Sequence, residues 1–481
     1  MNKVSFKDFN IEESILKSIR GLGYLVPTKV QEKVIPMALE SHDIIVTSQT
    51  GSGKTAAFAI PVCDRLIVEE KSPQALILVP TRELAVQVKE EITNIGRYKK
   101  LRCAAVFGKM PMDMQINELK QRVHIIAGTP GRTKDHIDRG NINTEKIKYL
   151  ILDEADEMLS MGFIEQVEGI INVLPKERIT MLFSATMPEK IEELCKKYMI
   201  DPVRIENNPD KVTVEKINQK YYEVDERNKI NILNRILFIE NPHSGILFCK
   251  TKENVERLAF YMKERNYSCR ELHGGMLQKD RLDIMKSFKR GEFRFLVATD
   301  VAARGIDIEN VSHVINFDVP VEKESYVHRI GRTGRAGKEG NAITLVTSME
   351  KQLWMAIQQY IAMEVVRAEI PSEEEAKRSK KDFMAKNYER VDIKPEKGEA
   401  LNKGITKIYI GAGKDKKIRA LDIVGAISSI EGITGEDIGI IDVQQRFSYV
   451  EIMGGKGEIV LNDLKDKKIK GKIVKIEKAN K

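Results

Sequence analysis

Short apolar runs recur along the first two thirds of the chain, each followed by a stretch with apolar residues at helical spacing. Runs at 44–47, 75–79, 104–107, 124–127, 150–152 and 181–183 read as strands, and the pattern restarts at 245–249, 268–272, 295–298, 313–316 and 342–346. Strands apolar on both faces must be covered on both, so their alternation with helices predicts two α/β units built on parallel sheets. The last 78 residues read differently: β-α-β-β-α-β, with elements at 406–410, 419–427, 438–443, 449–453, 460–464 and 473–476. That order suits a small α+β unit with a ferredoxin-like sheet. The polar stretch 206–214 is the expected hinge between the α/β units. Residues 369–403, dominated by Glu, Lys and Arg from Pro371 onward, are the expected linker, partly helical yet unable to bury much. The expected domains are 1–207, 214–368 and 404–481.

Composition narrows the class. At 481 residues the chain is long enough for about three domains, and 79 Lys+Arg against 71 Asp+Glu leave a net charge of +8. A modest basic surplus suits a polyanionic partner where it is clustered. The five cysteines are widely spaced with no CxxC pair, which points to reduced thiols in a cytoplasmic protein and to neither a disulfide framework nor a zinc site. No signal-length apolar core stands at the amino terminus and no run of about 18 apolar residues appears, so no membrane partner is expected.

The chemistry begins after the first strand. Ser48-Gln49-Thr50-Gly51-Ser52-Gly53-Lys54-Thr55 lies between a strand and a helix start, the context of a phosphate loop. Its backbone N–H groups cradle phosphates, Lys54 neutralises charge on them, and the Thr55 hydroxyl reaches Mg²⁺. The generic spacing has glycine where Ser48 stands. Asp153-Glu154-Ala155-Asp156 follows the apolar run 149–152. Alone it reads equally as a solvated cap. With the phosphate loop upstream, one carboxylate (Asp153) serves Mg²⁺ and the other (Glu154) the attacking water, the outline of a Mg-NTP hydrolase. In the second unit, His328-Arg329-Ile330-Gly331-Arg332-Thr333-Gly334-Arg335 spaces arginines three apart, either a basic surface loop or a set of γ-phosphate fingers. Gly305 and Asp307 follow the strand at 295–298, and Asp307 fits either a ribose hydroxyl or a structural ion pair.

Taken in order, these motifs resemble the DEAD-box RNA helicases over about residues 1–368. The resemblance implies two RecA-like domains that close on ATP and single-stranded RNA, bending the strand so that short duplexes come apart locally. Phe6, Tyr24, Thr28 and Gln31 fall on the adenine-reading Q motif, and Gln49, Thr50, Gly51, Ser52, Gly53, Lys54 and Thr55 on the phosphate loop. Lys54, Asp153, Glu154, Arg332 and Arg335 are the implied catalytic set, with Thr55 and Asp153 on Mg²⁺ and Gly305 and Asp307 on the nucleotide. Asp156, Ser184, Thr186 and His328 take the coupling positions, and Arg82, Gly108, Thr129, Arg132, Gln278, Arg281 and Thr299 the RNA contacts. Where the family has paired glycines this chain has Gly108-Lys109.

The C-terminal unit resembles an RRM, with Tyr409, Phe447 and Tyr449 near the stacking positions. Half-buried packing aromatics are the competing reading. Lys414, Lys416 and Lys417 form a basic loop, and eight lysines against two acids fill 465–481, a solvated face or a phosphate track. The whole arrangement resembles the bacterial DbpA/YxiN subfamily. That implies a monomer tethered to a hairpin of 23S ribosomal RNA, acting on large-subunit assembly intermediates.

Overall fold

A computed structural model describes residues 4–48, 51–207, 217–303, 311–334, 340–389, 398–465 and 468–479. The chain packs as two units: the amino-terminal α/β domain with the C-terminal domain, and the α/β domain between them.

The first sheet contains β1 (Ile44–Ser48), β2 (Ala75–Leu78), β3 (Cys103–Val106), β4 (Ile125–Gly128), β5 (Tyr149–Asp153), β6 (Ile179–Ser184) and β7 (Val203–Asn207). All pairings are parallel, in the order β3-β4-β2-β5-β6-β1-β7. Alternate residues enter two cores. Ile44 and Val46 pack with the helices Lys29–Leu39, Lys54–Arg65 and Arg82–Ile95, whereas Ile45 packs with Ile164–Ile171 and Glu189–Tyr198 on the other face.

The second sheet repeats this plan strand for strand. Its strands β8 (Ile217–Glu223), β9 (Gly245–Cys249), β10 (Cys269–Leu272), β11 (Phe295–Thr299), β12 (His313–Asn316), β13 (Gly340–Val346) and β14 (Val366–Arg367) run β10-β11-β9-β12-β13-β8-β14. Adding seven to each strand number of the first sheet reproduces the order. β7, β8 and β14 are absent from the apolar-run prediction. β8 opens with Ile217 followed by three polar residues, Asn218-Gln219-Lys220, so it offers no apolar run, and β14 is two residues long on the edge.

The expected linker needs correction. Residues 373–388 form a helix, Glu373–Tyr388, opened by a Ser372–Glu375 capping box with three acids in its first turn. Phe383 is fully buried among Phe238, Tyr267 and Phe295, with ring centroids 5.2, 5.0 and 6.1 Å away. Glu373 pairs with Arg235 at 2.7 Å. A mostly charged helix is thus part of the second core, because one aromatic carries the burial while the charges face water. Residues 208–214 of the expected hinge lie outside the described residues.

The C-terminal domain has β15 (Thr406–Ile410), β16 (Ile438–Val443), β17 (Ser448–Ile452) and β18 (Ile476–Lys478) in the antiparallel order β16-β17-β15-β18. The helices Ala420–Ser428 and Gly457–Leu464 cover one face, burying Ile408, Ile410, Val450 and Ile452. The β-α-β-β-α-β order is as expected, with the last strand displaced from 473–476 to 476–478.

Candidate nucleotide site and nucleic-acid interface

Parallel sheets gather their loops at the carboxyl ends of the strands. On the first sheet, β6 lies between β1, which feeds the phosphate loop, and β5, which ends in Asp153. Gly51 and Gly53 take φ of +82° and +87°, the left-handed region glycine enters without strain. A Cβ at Gly53 would lie 2.6 Å from Nε2 of Gln31. That proximity reflects hydrogen bonding: Gln31 donates to the Gly53 carbonyl at 3.1 Å, and Thr28 Oγ1 donates to the Ser52 carbonyl at 2.9 Å. Gln31 Oε1 also accepts the Thr28 N–H at 2.9 Å, so the two residues form one clamp on the loop. Ser48, in the place of the generic glycine, is buried at the end of β1. Its hydroxyl meets that of Ser52 at 3.2 Å, and its carbonyl accepts from Lys54 Nζ at 3.3 Å.

Phe6 is buried in the amino-terminal core against Phe9, and the Tyr24 hydroxyl donates to Glu91. Thr55 is the second residue of the helix that Lys54 opens. Gln49 and Thr50 lie outside the described residues, as do Gly305, Asp307 and Arg335.

Asp153 is 3 % exposed. Burial raises its carboxyl above the ordinary value against the pull of Lys54 and the Glu154 N–H, which reaches its Oδ1 at 3.0 Å. Glu154 has φ +55°, a left-handed conformation for a residue with a Cβ, which costs about 1–3 kcal/mol and is typical of functional turns. A buried carboxylate beside a lysine and a helix-start hydroxyl suits Mg²⁺, which takes few protein ligands and keeps water.

Asp156 turns away from this pair. Its Oδ2 accepts from the Thr186 N–H at 2.9 Å and the Thr186 hydroxyl at 3.0 Å, while its own N–H donates to Ser184 Oγ at 3.1 Å. The three coupling positions of the first domain therefore form one hydrogen-bonded link between the end of β5 and the end of β6.

The other half of the same rim carries the positions expected to meet RNA. Arg82 follows β2, Gly108 follows β3 and Thr129 follows β4, three adjacent strands. A Cβ at Gly108 would sit 3.9 Å from the Arg82 guanidinium. Thr129 precedes the helix Pro130–Asp138, and Arg132 on it donates to the Met110 carbonyl at 2.9 Å and to Gln115 at 3.2 Å, bracing the loop after β3. Lys109, at the departure from paired glycines, has φ +60°. That left-handed conformation is why glycine suits the position.

The duplicated topology places the expected RNA positions of the second domain and adds one that the motif reading missed. Thr299 ends β11, the counterpart of β4, and Gln278 and Arg281 lie on the helix after β10, the counterpart of β3. The counterpart of Arg82 is Lys252, following β9. Thr81 and Thr251 cap the two helices alike, through bonds from Leu84 N–H at 3.3 Å and Asn254 N–H at 3.2 Å. A Cβ on Gly275 would lie 2.9 Å from the Lys252 side chain, mirroring Gly108 and Arg82. The signal was present as Thr81-Arg82-Glu83 against Thr251-Lys252-Glu253, legible only once the strands are aligned.

The repeat also places a second lysine and carboxylate at matching strand ends. Lys229 opens the helix after β8 as Lys54 does after β1, and its Nζ lies 2.8 Å from Asp318, just past β12, the counterpart of β5. Both are buried, forming an internal ion pair at the places that Lys54 and Asp153 take in the first domain. Of the arginine motif, Arg332 is 6 % exposed and its Nε donates to the His328 carbonyl at 3.3 Å. Arg329, given no role above, is fully buried. It bonds Asp300 Oδ2 at 2.6 Å, Asn316 Oδ1 at 3.1 Å and the Asp318 carbonyl at 2.7 Å, fixing the ends of β11 and β12.

In the C-terminal domain Tyr409 pairs with Tyr449 across β15 and β17. With Phe447 they form a half-buried trio, centroids 5.3–5.8 Å apart, on the face opposite the helices. The loop of Lys414, Lys416 and Lys417 is tied beside them by bonds from Lys414 N–H to the Gln444 carbonyl and Asp415 N–H to the Gln445 carbonyl, both 2.9 Å. Lys470 and Lys472 reach back to the Lys417 and Lys416 carbonyls at 2.7 and 2.8 Å, joining the two basic stretches into one surface. Among the described residues no helix is long and apolar enough to cross a membrane.

Comparison with known proteins agrees with this geometry. Residues 28–194 match the DEAD/DEAH box helicase family, 228–337 the helicase conserved C-terminal domain, and 407–478 the DbpA RNA binding domain. The ATP-dependent RNA helicase DbpA of Bacillus subtilis is 55 % identical over 99 % of both chains. The DEAD-box ATP-dependent RNA helicase CshA of Geobacillus kaustophilus is 46 % identical over 72 % of this chain and 74 % of its own. Among solved structures, S. cerevisiae Dbp5 bound to RNA and ADP BeF3 superposes with TM-score 0.71 at 32 % identity, over 79 % of this chain and 99 % of that one.

Proposed function

The chain belongs to the DEAD/DEAH box helicases, and on that premise we propose that it unwinds short RNA duplexes while tethered by its C-terminal domain to a hairpin of 23S ribosomal RNA, serving large-subunit assembly. It is an ATP-dependent RNA helicase of the DbpA type with an RNA-binding C-terminal domain. The observation that carries the reading is the division of one sheet rim: nucleotide residues at β1 and β5, RNA residues at β2, β3 and β4, and the Asp156–Ser184–Thr186 link beside the nucleotide half.

In this reading Gln31 and Thr28 set the phosphate loop, Lys54 neutralises the phosphates, and Glu154 orients and deprotonates the attacking water. Thr55 and Asp153 would hold Mg²⁺, which when bound neutralises phosphate charge. Arg332 and Arg335 supply positive charge to the γ-phosphate, an effect typically worth about 10³–10⁵ in rate. ATP and RNA bind cooperatively because both favour the same closed state. Arg82, Gly108, Thr129, Lys252, Gln278, Arg281 and Thr299 hold the strand by its backbone, blind to sequence. Selectivity then rests on the aromatic trio and the lysine surface. We place the protein in the cytoplasm, as a monomer; its five thiols, all buried and unpaired, fit a reducing compartment.

The test compares ATPase stimulation by 23S ribosomal RNA, random RNA and DNA, with and without residues 404–481. Loss of the rRNA preference on truncation, with ATP binding kept, supports the tether. Equal stimulation by random RNA in the full chain would instead leave a general RNA-stimulated ATPase, and stimulation by DNA would remove the RNA assignment.

A further inference from the structure

The C-terminal domain packs on the amino-terminal domain at the far end of β3 from the RNA loops. Leu401, 3 % exposed, fills the notch above Gly21, where a Cβ would lie 2.2 Å from its Cδ2. Arg97 bonds Glu451 at 3.3 Å, Arg102 lies 3.5 Å from Asp442, and Lys100 Nζ donates to the Gly435 carbonyl at 2.9 Å. A cavity of about 370 Å³ remains beside these pairs, lined by Arg102, Glu118, Asp442 and Gln444 together with the apolar Met114 and Val123, among others.

The carboxylates come from the aromatic face. In the register, Tyr409 opposes Tyr449 and Tyr449 opposes Asp442, one row across three strands, while Glu451 opposes Lys407 two residues along. Residues directly opposite, and those two apart, share a face. A nucleic-acid strand stacked on Tyr409 and Tyr449 therefore meets Asp442 and Glu451, and the arginines already bound to them. We propose that the basic strip Arg97–Arg102 is a docking surface for the chain's own C-terminal domain, and that RNA on the aromatic sheet competes with this docking. The carboxylates occupy the strip as phosphates would. The side chains of these ion pairs keep 11–28 % of their exposure, so each pair holds weakly and the contact is reversible. ATP is not involved, since the strip precedes β3 whereas the nucleotide residues follow β1 and β5.

The inference rests on the sheet being an RNA surface, so its test separates the two. In the full chain, dyes are placed on Lys120→Cys and Glu431→Cys; the native thiols are buried and do not compete for label. The dyes are expected to be close without RNA and to separate when purified 23S ribosomal RNA is added. The Arg97→Ala/Arg102→Ala variant starts separated and binds that RNA about three- to tenfold more tightly, the fraction docked having been removed from the apparent affinity. Its basal ATPase is unchanged. The swap Arg97→Glu/Glu451→Arg restores the short distance. Dyes that ignore RNA, or a double-alanine variant that binds RNA equally or more weakly, overturn the competition while leaving the sheet reading intact. Undiminished RNA affinity in Tyr449→Ala overturns both.

Discussion

Phe383→Ala tests whether residues 373–388 are a structural helix or a linker. The side chain is fully buried, its ring lies against three aromatics, and the Arg294 guanidinium sits 4.5 Å from its centroid. Truncating a buried Phe costs about 3–5 kcal/mol, from lost transfer energy and the cavity left behind. A convenient reporter exists. The chain has a single tryptophan, Trp354, and it packs against Tyr221 and Tyr326 in the core of the same unit. Its emission in urea follows unfolding of that unit alone, which matters because a multidomain chain has no single unfolding free energy. With a slope of about 2 kcal/mol per M, the midpoint falls by about 2 M. Phe260→Ala is the control, since that ring is 65 % exposed. A Phe383→Ala midpoint matching wild type would show that the helix does not belong to the core.

Glu154→Gln is expected to lower RNA-stimulated phosphate release by about 10²-fold or more while ATP binding persists; turnover near wild type refutes its role at the water. Thr186→Val removes one of two bonds to Asp156 and is expected to spare RNA-stimulated ATPase while lowering duplex unwinding, checked by assaying both on the same preparation. Tyr449→Ala is expected to weaken 23S RNA binding by about 1–3 kcal/mol if it stacks a base, and hardly at all if it is packing. Lys229→Met leaves Asp318 buried without its partner and is expected to cost about 3–5 kcal/mol in the Trp354 transition. The pH sign follows from Asp318. Burial raises its carboxyl, but Lys229, the Lys250 N–H and Asn254 outweigh it and hold the group below the ordinary value. Its stabilisation is therefore present above the ordinary carboxylate range and lost as pH falls through the folded value. Acid unfolding of wild type is expected to begin below that range, and of Lys229→Met at higher pH.

Much of the site was readable along the chain because its chemistry is local. The phosphate loop, the Asp153–Glu154 pair and the arginine motif each lie within eight consecutive residues, at spacings that backbone geometry dictates. The C-terminal strands were legible for a similar reason: apolar alternation of period two specifies which side chains face the helices, so Tyr409 and Tyr449 had to face away. Strand β8 was missed because its polar positions hide a partner 123 residues away, Asn218 beside Asn341. The burial made by the helix Glu373–Tyr388, though not its partly helical character, was misread because composition averages over residues, whereas burial depends on one Phe finding three aromatics between 88 and 145 residues upstream.

Sequence alone, then, determined the class of chemistry and marked the residues expected to perform it, since phosphate cradling and water activation need particular groups at short separations. Tertiary structure decided which of those residues lie together. It joined Asp156 to Thr186, set Lys252 in the place of Arg82, and converted a second lysine and carboxylate into a closed ion pair. Those are relations between strand ends, fixed by the order of strands in a sheet, and strand order is written in long-range packing and not in any stretch of neighbouring residues.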